Sequence, residues 1–307
     1  MKLRDIVLGT KEKVDVLLLD VEERETKTKK PYVIFRVTDG ENVVSVRKWD
    51  CRATDYKKYK GNVVNMNIRV GTYGGEATYD VDTISSSEKE VQDFIQKVPG
   101  DVLEMYQEIL NHVDSIQDLH LRALISEILK DQKEKFLYWA AAKGVHHALY
   151  GGLIYHVYRM GKNVDLQCQL YPDLNRDLMI AGTYLHDIGK LKELETDILG
   201  ASKYTTIGNM LGHLYIGAEI VSEYNQKMEE PVDEEILLQL KHMILSHHGK
   251  KEWGAVVEPK TIEAQMLHLL DLLDSRMYIF EDAYKNAEPG VATNPIFGIG
   301  TSVYKFN

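Results

Sequence analysis

The sequence predicts a multidomain α+β protein in which a small barrel of five strands is followed by an all-α helical bundle. Its 307 residues exceed the roughly 100–200 of one typical domain. The apolar pattern alternates in the first part and recurs at helical spacing in the second. Charge is divided in the same way: Met1–Glu90 carries 17 Lys and Arg against 16 Asp and Glu, and the remainder carries 20 against 31, so nearly all of the net charge of −10 lies in the second part. All eleven histidines lie at or after His112.

The expected organisation is a barrel over residues 1–86, a polar connection over 87–100, a helical unit over 101–284 and an extended tail over 285–307. In the first unit, VDVLLLDV (Val14 to Val21, after Lys13) is an apolar, β-branched run followed by the polar cluster ERETKTKK. PYVIFRV and NVVSVRKW then flank Asp39-Gly40 and read as a hairpin. After the helix-permissive DYKKYKG come VVNMNIRVGTY and, beyond Gly74-Gly75, ATYDVDTI. Five strands interrupted between the third and fourth fit a Greek-key barrel of the OB type. Strict alternation along PYVIFRV turns Phe35 inward and Tyr32 and Arg36 outward. Such barrels bind single strands by combining aromatic platforms with a lightly basic groove. Tyr32, Trp49 and Tyr73 are the expected platforms, with Arg36, Arg47 and Arg69 beside them; the competing role for any aromatic here is to fill the barrel core.

SSSEKEVQDFIQKVPG marks the connection. From Asp101 onward, DVLEMYQEILNHV and LHLRALISEILKDQKEKFLYWAAA are amphipathic helices, and similar patterns recur over 174–185, 210–224, 234–245 and 261–284. The tail has no helical period. With a pI near 5.6, the chain is not one that coats nucleic acid by bulk charge. Two cysteines without CxxC spacing, Cys51 and Cys168, exclude a disulfide framework or a cysteine-rich zinc site. A charged N-terminus and the lack of an apolar run of roughly 18 residues predict a soluble, reducing, cytoplasmic protein.

The chemistry concentrates in TYLHDIGK, where His186 and Asp187 are adjacent at the end of an apolar helix. An imidazole beside a carboxylate is a mixed N/O donor set suited to manganese, iron, zinc or nickel and less to calcium. The pair has company: His156 in GGLIYHVYRM, His213 in NMLGHLYIG, His247 and His248 in MILSHHG, and Asp271 in MLHLLDLLD. This order resembles the HD-domain superfamily of metal-dependent phosphohydrolases. Further, HHALYGGLIYH, LHDIGK, TTIGNMLGH, MILSHHG and EAQMLHLLDLLD, preceded by an OB-like barrel, resemble the YhaM-type 3′-to-5′ exoribonucleases of Gram-positive bacteria over almost the whole chain.

The resemblance implies a bacterial, cytoplasmic, manganese-assisted exonuclease that trims single-stranded RNA, and often single-stranded DNA, and that forms a homo-oligomer without a membrane partner; iron, nickel, cobalt and zinc suit the same donors. It implies that His156, His186, Asp187 and Asp271 hold one metal and that Asp187 bridges to a second completed by His213 and His247, with His248 an additional donor in some such sites. Asp187 and Lys190 would be the catalytic pair, Lys190 neutralising phosphate charge or assisting the leaving group; the bland role for Lys190 is capping helix carbonyls. His146 and His147 lie near the substrate or pack structurally. His112, His120, His242 and His268 read as surface or hydrogen-bonded core residues. Gly151-Gly152 interrupts a helical pattern before His156, consistent with close packing or approach to a ligand. Two other activities remain compatible with the same residues: hydrolysis of a nucleotide or cyclic nucleotide, and non-catalytic nucleic-acid binding.

Overall fold

The computed structural model describes residues 2–26, 28–73, 76–95, 97–140, 149–196, 202–296 and 298–306. The chain forms two compact units, Met1–Gln96 and Lys97–Asn307.

In the first unit, β1 (Lys11–Glu25), β2 (Pro31–Thr38), β3 (Val43–Trp49), β4 (Val63–Tyr73) and β5 (Glu76–Ser86) close a barrel in the order β1-β2-β3-β5-β4. All neighbours are antiparallel except β3 and β5, which meet in parallel at Val46–Tyr79 and Arg47–Asp80. This is the OB-fold topology. Strand β1 runs further than its apolar core implies, because it serves two partners: Lys11–Leu17 pair with β4 and Leu17–Glu25 with β2. The charged Glu22–Glu25 stretch, which reads as a link in sequence, is therefore strand. The helix-permissive interruption is a pair of 3₁₀ turns, Ala53–Asp55 and Lys57–Tyr59. Alternation sorts the side chains as the pleat requires: Val33, Phe35 and Val37 are fully buried, whereas Arg36 faces solvent and Tyr32 is half-buried.

The second unit holds α1 (Val102–Asp114), α2 (Leu119–Asp131), α3 (Lys133–Tyr138), α4 (Gly152–Leu170), α5 (Arg176–Leu185), α6 (Lys190–Glu193), α7 (Thr206–Lys227), α8 (Glu234–Ser246) and α9 (Ile262–Asn286), with a small hairpin of β6 (Leu194–Thr196) and β7 (Ser202–Tyr204) between α6 and α7. The starts are written in the sequence: Asp101, Asp118, Asn175, Thr205, Asp233 and Thr261 each accept a backbone N–H at a helix N-terminus. Each such cap contributes about 0.5–2 kcal/mol. The apolar stripes of α1, α2, α4, α5, α7, α8 and α9 converge on one core that includes Ile109, Leu124, Val157, Ile180, Val221, Ile244 and Leu267.

Two glycine positions differ from a simple helical reading. Gly151 does not interrupt a helix; at φ +79° it is the cap from which α4 starts. Gly212, at φ +71° and ψ 158°, breaks α7 just before His213. The tail beyond α9 is irregular, pinned by the Ala292–Tyr304 bridge and buried Val303. Among the described residues no helix is long and apolar enough to cross a membrane.

Candidate metal centre

Side chains from five places in the helical unit meet in its interior. His156 projects from the first turns of α4. His186 caps α5 and Asp187 follows it in the turn to α6, so the pair sits at a helix end and not along a helix face. His213 opens the second half of α7, His247 caps α8, and Asp271 lies on α9. His156, His186, Asp187 and His247 are buried. Asp271 has the most open side chain of these six, at 22% exposure.

The histidines are oriented by their outer nitrogens. His186 Nδ1 donates to the Thr183 carbonyl at 3.0 Å and His247 Nδ1 to the Ile244 carbonyl at 2.7 Å. A carbonyl only accepts, so Nδ1 carries the proton in both rings and Nε2 presents a lone pair inward. His156 Nδ1 lies 2.8 Å from Asp274 Oδ2, and the other Asp274 oxygen takes Arg159 Nε at 2.7 Å. His213 Nδ1 lies 3.0 Å from Glu193 Oε1. The same Glu193 oxygen accepts the His213 backbone N–H at 3.0 Å, the donor that the Gly212 break leaves without a helical partner. Glu193 therefore caps the restarted helix and aims its first side chain.

Asp187 divides its oxygens between two groups. Oδ2 lies 3.4 Å from His186 Nε2 and 3.9 Å from His156 Nε2; Oδ1 lies 3.4 Å from His213 Nε2 and 3.7 Å from His247 Nε2. Asp271 Oδ1 completes the first group at 3.4 Å from His156 Nε2. Lys190, the first residue of α6, reaches back to Asp187 Oδ2 at 2.6 Å instead of capping carbonyls of the preceding helix.

These atoms could hold a cation. His156 Nε2 and His186 Nε2 face each other at 3.3 Å, and Asp187 Oδ1, His213 Nε2 and His248 Nδ1 are buried without a hydrogen bond among the described residues. Buried orphans of this kind are costly unless something bridges them. Three sets have ligand atoms close enough to share an ion: His156, His186 and Asp187; His186, His247 and Asp271; and His213, His247 and His248. Imidazole and carboxylate donors in that mixture fit a first-row divalent ion.

Protonation follows burial and neighbours. Burial and the adjacent His186 push His247 well below the usual histidine range, and burial pushes His248 down to about 4. Both are neutral near pH 7, as metal donors must be. Burial would raise Asp187, yet Lys190 and His186 hold it well below the usual carboxylate range. Burial opposes a charge on His156, but Asp271 and Asp274 outweigh it and bring that ring up to about 9.

The structure thus brings together His156, His186, Asp187, Lys190, His213, His247, His248 and Asp271. His146 and His147 lie outside the described residues. His112 bonds Tyr184, His120 the Glu230 carbonyl and His242 the Lys260 N–H, all away from the cluster, while His268 donates to the His247 carbonyl at 2.8 Å and braces it. Glu193 and Asp274 are absent from the expected set. Asp274 had a signal, a second carboxylate one helical turn after Asp271; Glu193 had none.

On the barrel, Tyr32 and Trp49 form a cross-strand pair with ring centroids 4.9 Å apart, and Arg47 lies 5.5 Å from the Trp49 ring. Arg47 is also held by Asp80 at 3.2 Å. Tyr73 is 82% exposed, and Arg36 and Arg69 face solvent.

The HD domain family model matches residues 153–276. The 3′-5′ exoribonuclease YhaM of Bacillus velezensis is 33% identical over 283 residues, 90% of this chain and 88% of its own length. That of Bacillus subtilis is also 33% identical over 283 residues. That of a Geobacillus species is 32% identical over 302 residues, 96% of this chain and 92% of its own.

Proposed function

The chain belongs to the YhaM family of 3′-5′ exoribonucleases, and from that premise we propose that it is a divalent-metal-dependent hydrolase that shortens single-stranded RNA from the 3′ end, with single-stranded DNA as a second substrate. The observation that carries this reading is the way Asp187 turns one oxygen to each of two histidine groups in the buried interior of the helical unit. His156, His186, Asp187 and Asp271 would hold one ion; Asp187, His213, His247 and His248 would hold a second. Manganese is the ion we assign. Divalent ions held there supply Lewis acidity to a phosphate oxygen and lower the pKa of water at the site.

The protein's own groups do the rest. Nδ1 bonds to Thr183, Ile244, Glu193 and Asp274 keep the donor nitrogens aimed inward, so orientation is settled before substrate arrives. Burial and Asp187 act oppositely on Lys190, and the carboxylate keeps its ammonium charged, providing a fixed positive charge for the phosphate. The two neutral histidines, His247 and His248, meet an ion without first losing a proton. On the barrel, Tyr32, Trp49 and Tyr73 would stack bases while Arg36, Arg47 and Arg69 meet phosphates, each stacked base adding about 1–3 kcal/mol.

Incubation with Mn²⁺ and 5′-labelled single-stranded RNA gives a ladder of shortening products that a chelator abolishes. An intact, metal-loaded protein that gives no ladder, or that turns over nucleotides far faster than RNA, refutes the reading.

A further inference from the structure

Immediately after His247 and His248 the chain turns at Gly249, where any Cβ would collide with the His268 ring, and makes a 3₁₀ turn over Lys251–Trp253. Trp253 comes to rest against His268, with ring centroids 6.0 Å apart and planes 34° from parallel. His268 lies one helical turn before Asp271 on α9, so the two side chains are neighbours on one face. His268 also holds the His247 carbonyl. Gly254 passes so near His248 that an added Cβ would stand 3.3 Å from Nδ1. His268 therefore stands between the indole and two residues of the candidate ligand set, His247 and Asp271.

Yet Trp253 is 54% exposed, and Asp271, one helical turn beyond the His268 ring on which the indole rests, is the most open of the six convergent side chains. Left half in water, an indole forfeits burial worth roughly 25 cal/mol for each Å² of apolar surface. Lys250 and Lys251, both exposed, precede it. The metal-facing atoms can engage only phosphate and water; nothing among them offers a face to a base. An exposed aromatic surface one ring away from the residues of the cluster, with Lys250 and Lys251 before it in the chain, supplies that missing contact.

We propose that Trp253 is the stacking platform for a nucleobase adjoining the scissile phosphate. The inference rests on the exonuclease reading above and adds a base-binding subsite in the helical unit, distinct from the barrel. Stacking of this kind tolerates any base but requires one.

The test pairs Trp253→Ala with RNA oligonucleotides lacking the base at the last or the penultimate position. In the parent enzyme one of these abasic positions raises KM about 5- to 150-fold, the equivalent of about 1–3 kcal/mol for one stack. In Trp253→Ala, KM for ordinary RNA rises by the same factor while kcat holds, and the abasic penalty disappears, as a double-mutant cycle requires. Trp253→Phe restores most of the loss. Trp253→Leu, which keeps apolar bulk over His268 without a ring, repeats the Ala result and covers the case in which Ala disturbs the fold. Mn²⁺ affinity by calorimetry confirms that the centre is intact. Abasic penalties that persist in full in the Ala and Leu variants overturn the subsite while the exonuclease reading stands; a parent protein that does not shorten ordinary RNA removes both.

Discussion

Glu193 is where local structure and the candidate metal centre are joined most tightly, and Glu193→Ala separates their contributions. One of its oxygens accepts both the backbone N–H and Nδ1–H of His213, each at 3.0 Å, inside a buried setting. Hydrogen bonds to a charged acceptor contribute about 1.5–3 kcal/mol each, and two bonds sharing one oxygen contribute less than twice that. The expected loss is about 2–4 kcal/mol, which for a unit of this size lowers Tm by roughly 5–15 °C in metal-free buffer. Losing the group that orients a metal-binding imidazole weakens metal binding about 10- to 100-fold. That second loss corresponds to about 1.4–2.8 kcal/mol. Glu193→Gln keeps an acceptor oxygen without the charge and falls between parent and Ala in both measurements. Thermal melts in chelator and Mn²⁺ calorimetry at one pH read the two effects separately. If Glu193→Ala binds Mn²⁺ as tightly as the parent, His213 does not depend on this carboxylate, and the account of the kinked α7 as an aiming device fails.

Asp187→Ala should reduce Mn²⁺-dependent RNA shortening to below about 1% of parent, since metal-site residues acting as a unit fail together; oligonucleotide binding by the barrel, read by fluorescence anisotropy, stays unchanged, and retained turnover would contradict the bridging role. Trp49→Ala should weaken single-strand binding about 5- to 150-fold through the loss of one stacked base, and an unchanged anisotropy titration would move the binding face elsewhere on the barrel. His112 supplies a pH signature: burial lowers its pKa against the opposing pull of Asp165, so between the folded value and about 6.5 the unfolded chain binds more protons. Its contribution is complete above about pH 6.5 and drains away as pH falls through the folded-state value. Thermal melts of the metal-loaded protein from pH 5 to 7.5 should show that loss, and His112→Gln should flatten it.

Much of this molecule can be read from the residues in order. Alternation alone separates Phe35 from Tyr32, and the helix starts are marked by Asp, Asn and Thr in the positions where caps are needed. The convergent histidines are conspicuous because each interrupts an apolar stripe. What escapes is whatever depends on contact across the fold. Glu193 aims a ring 20 residues away and Asp274 one 118 residues away, and neither separation has a period. The second half of β1 escapes for another reason: Glu22–Glu25 is polar on both faces, and only pairing with β2 makes it a strand. Gly151-Gly152 reads as a fault in a helix because sequence does not say on which side of the pair the helix lies.

That long β1 has one more effect. By pairing with β4 through its first half and β2 through its second, it carries the sheet from one partner round to the other and so closes the barrel. Closure shortens the free edge that a foreign strand could zip onto, which protects a β-rich unit against self-association. Whatever this barrel grasps through its side chains it grasps with a preference, ribose against deoxyribose included, that can be rewritten one codon at a time.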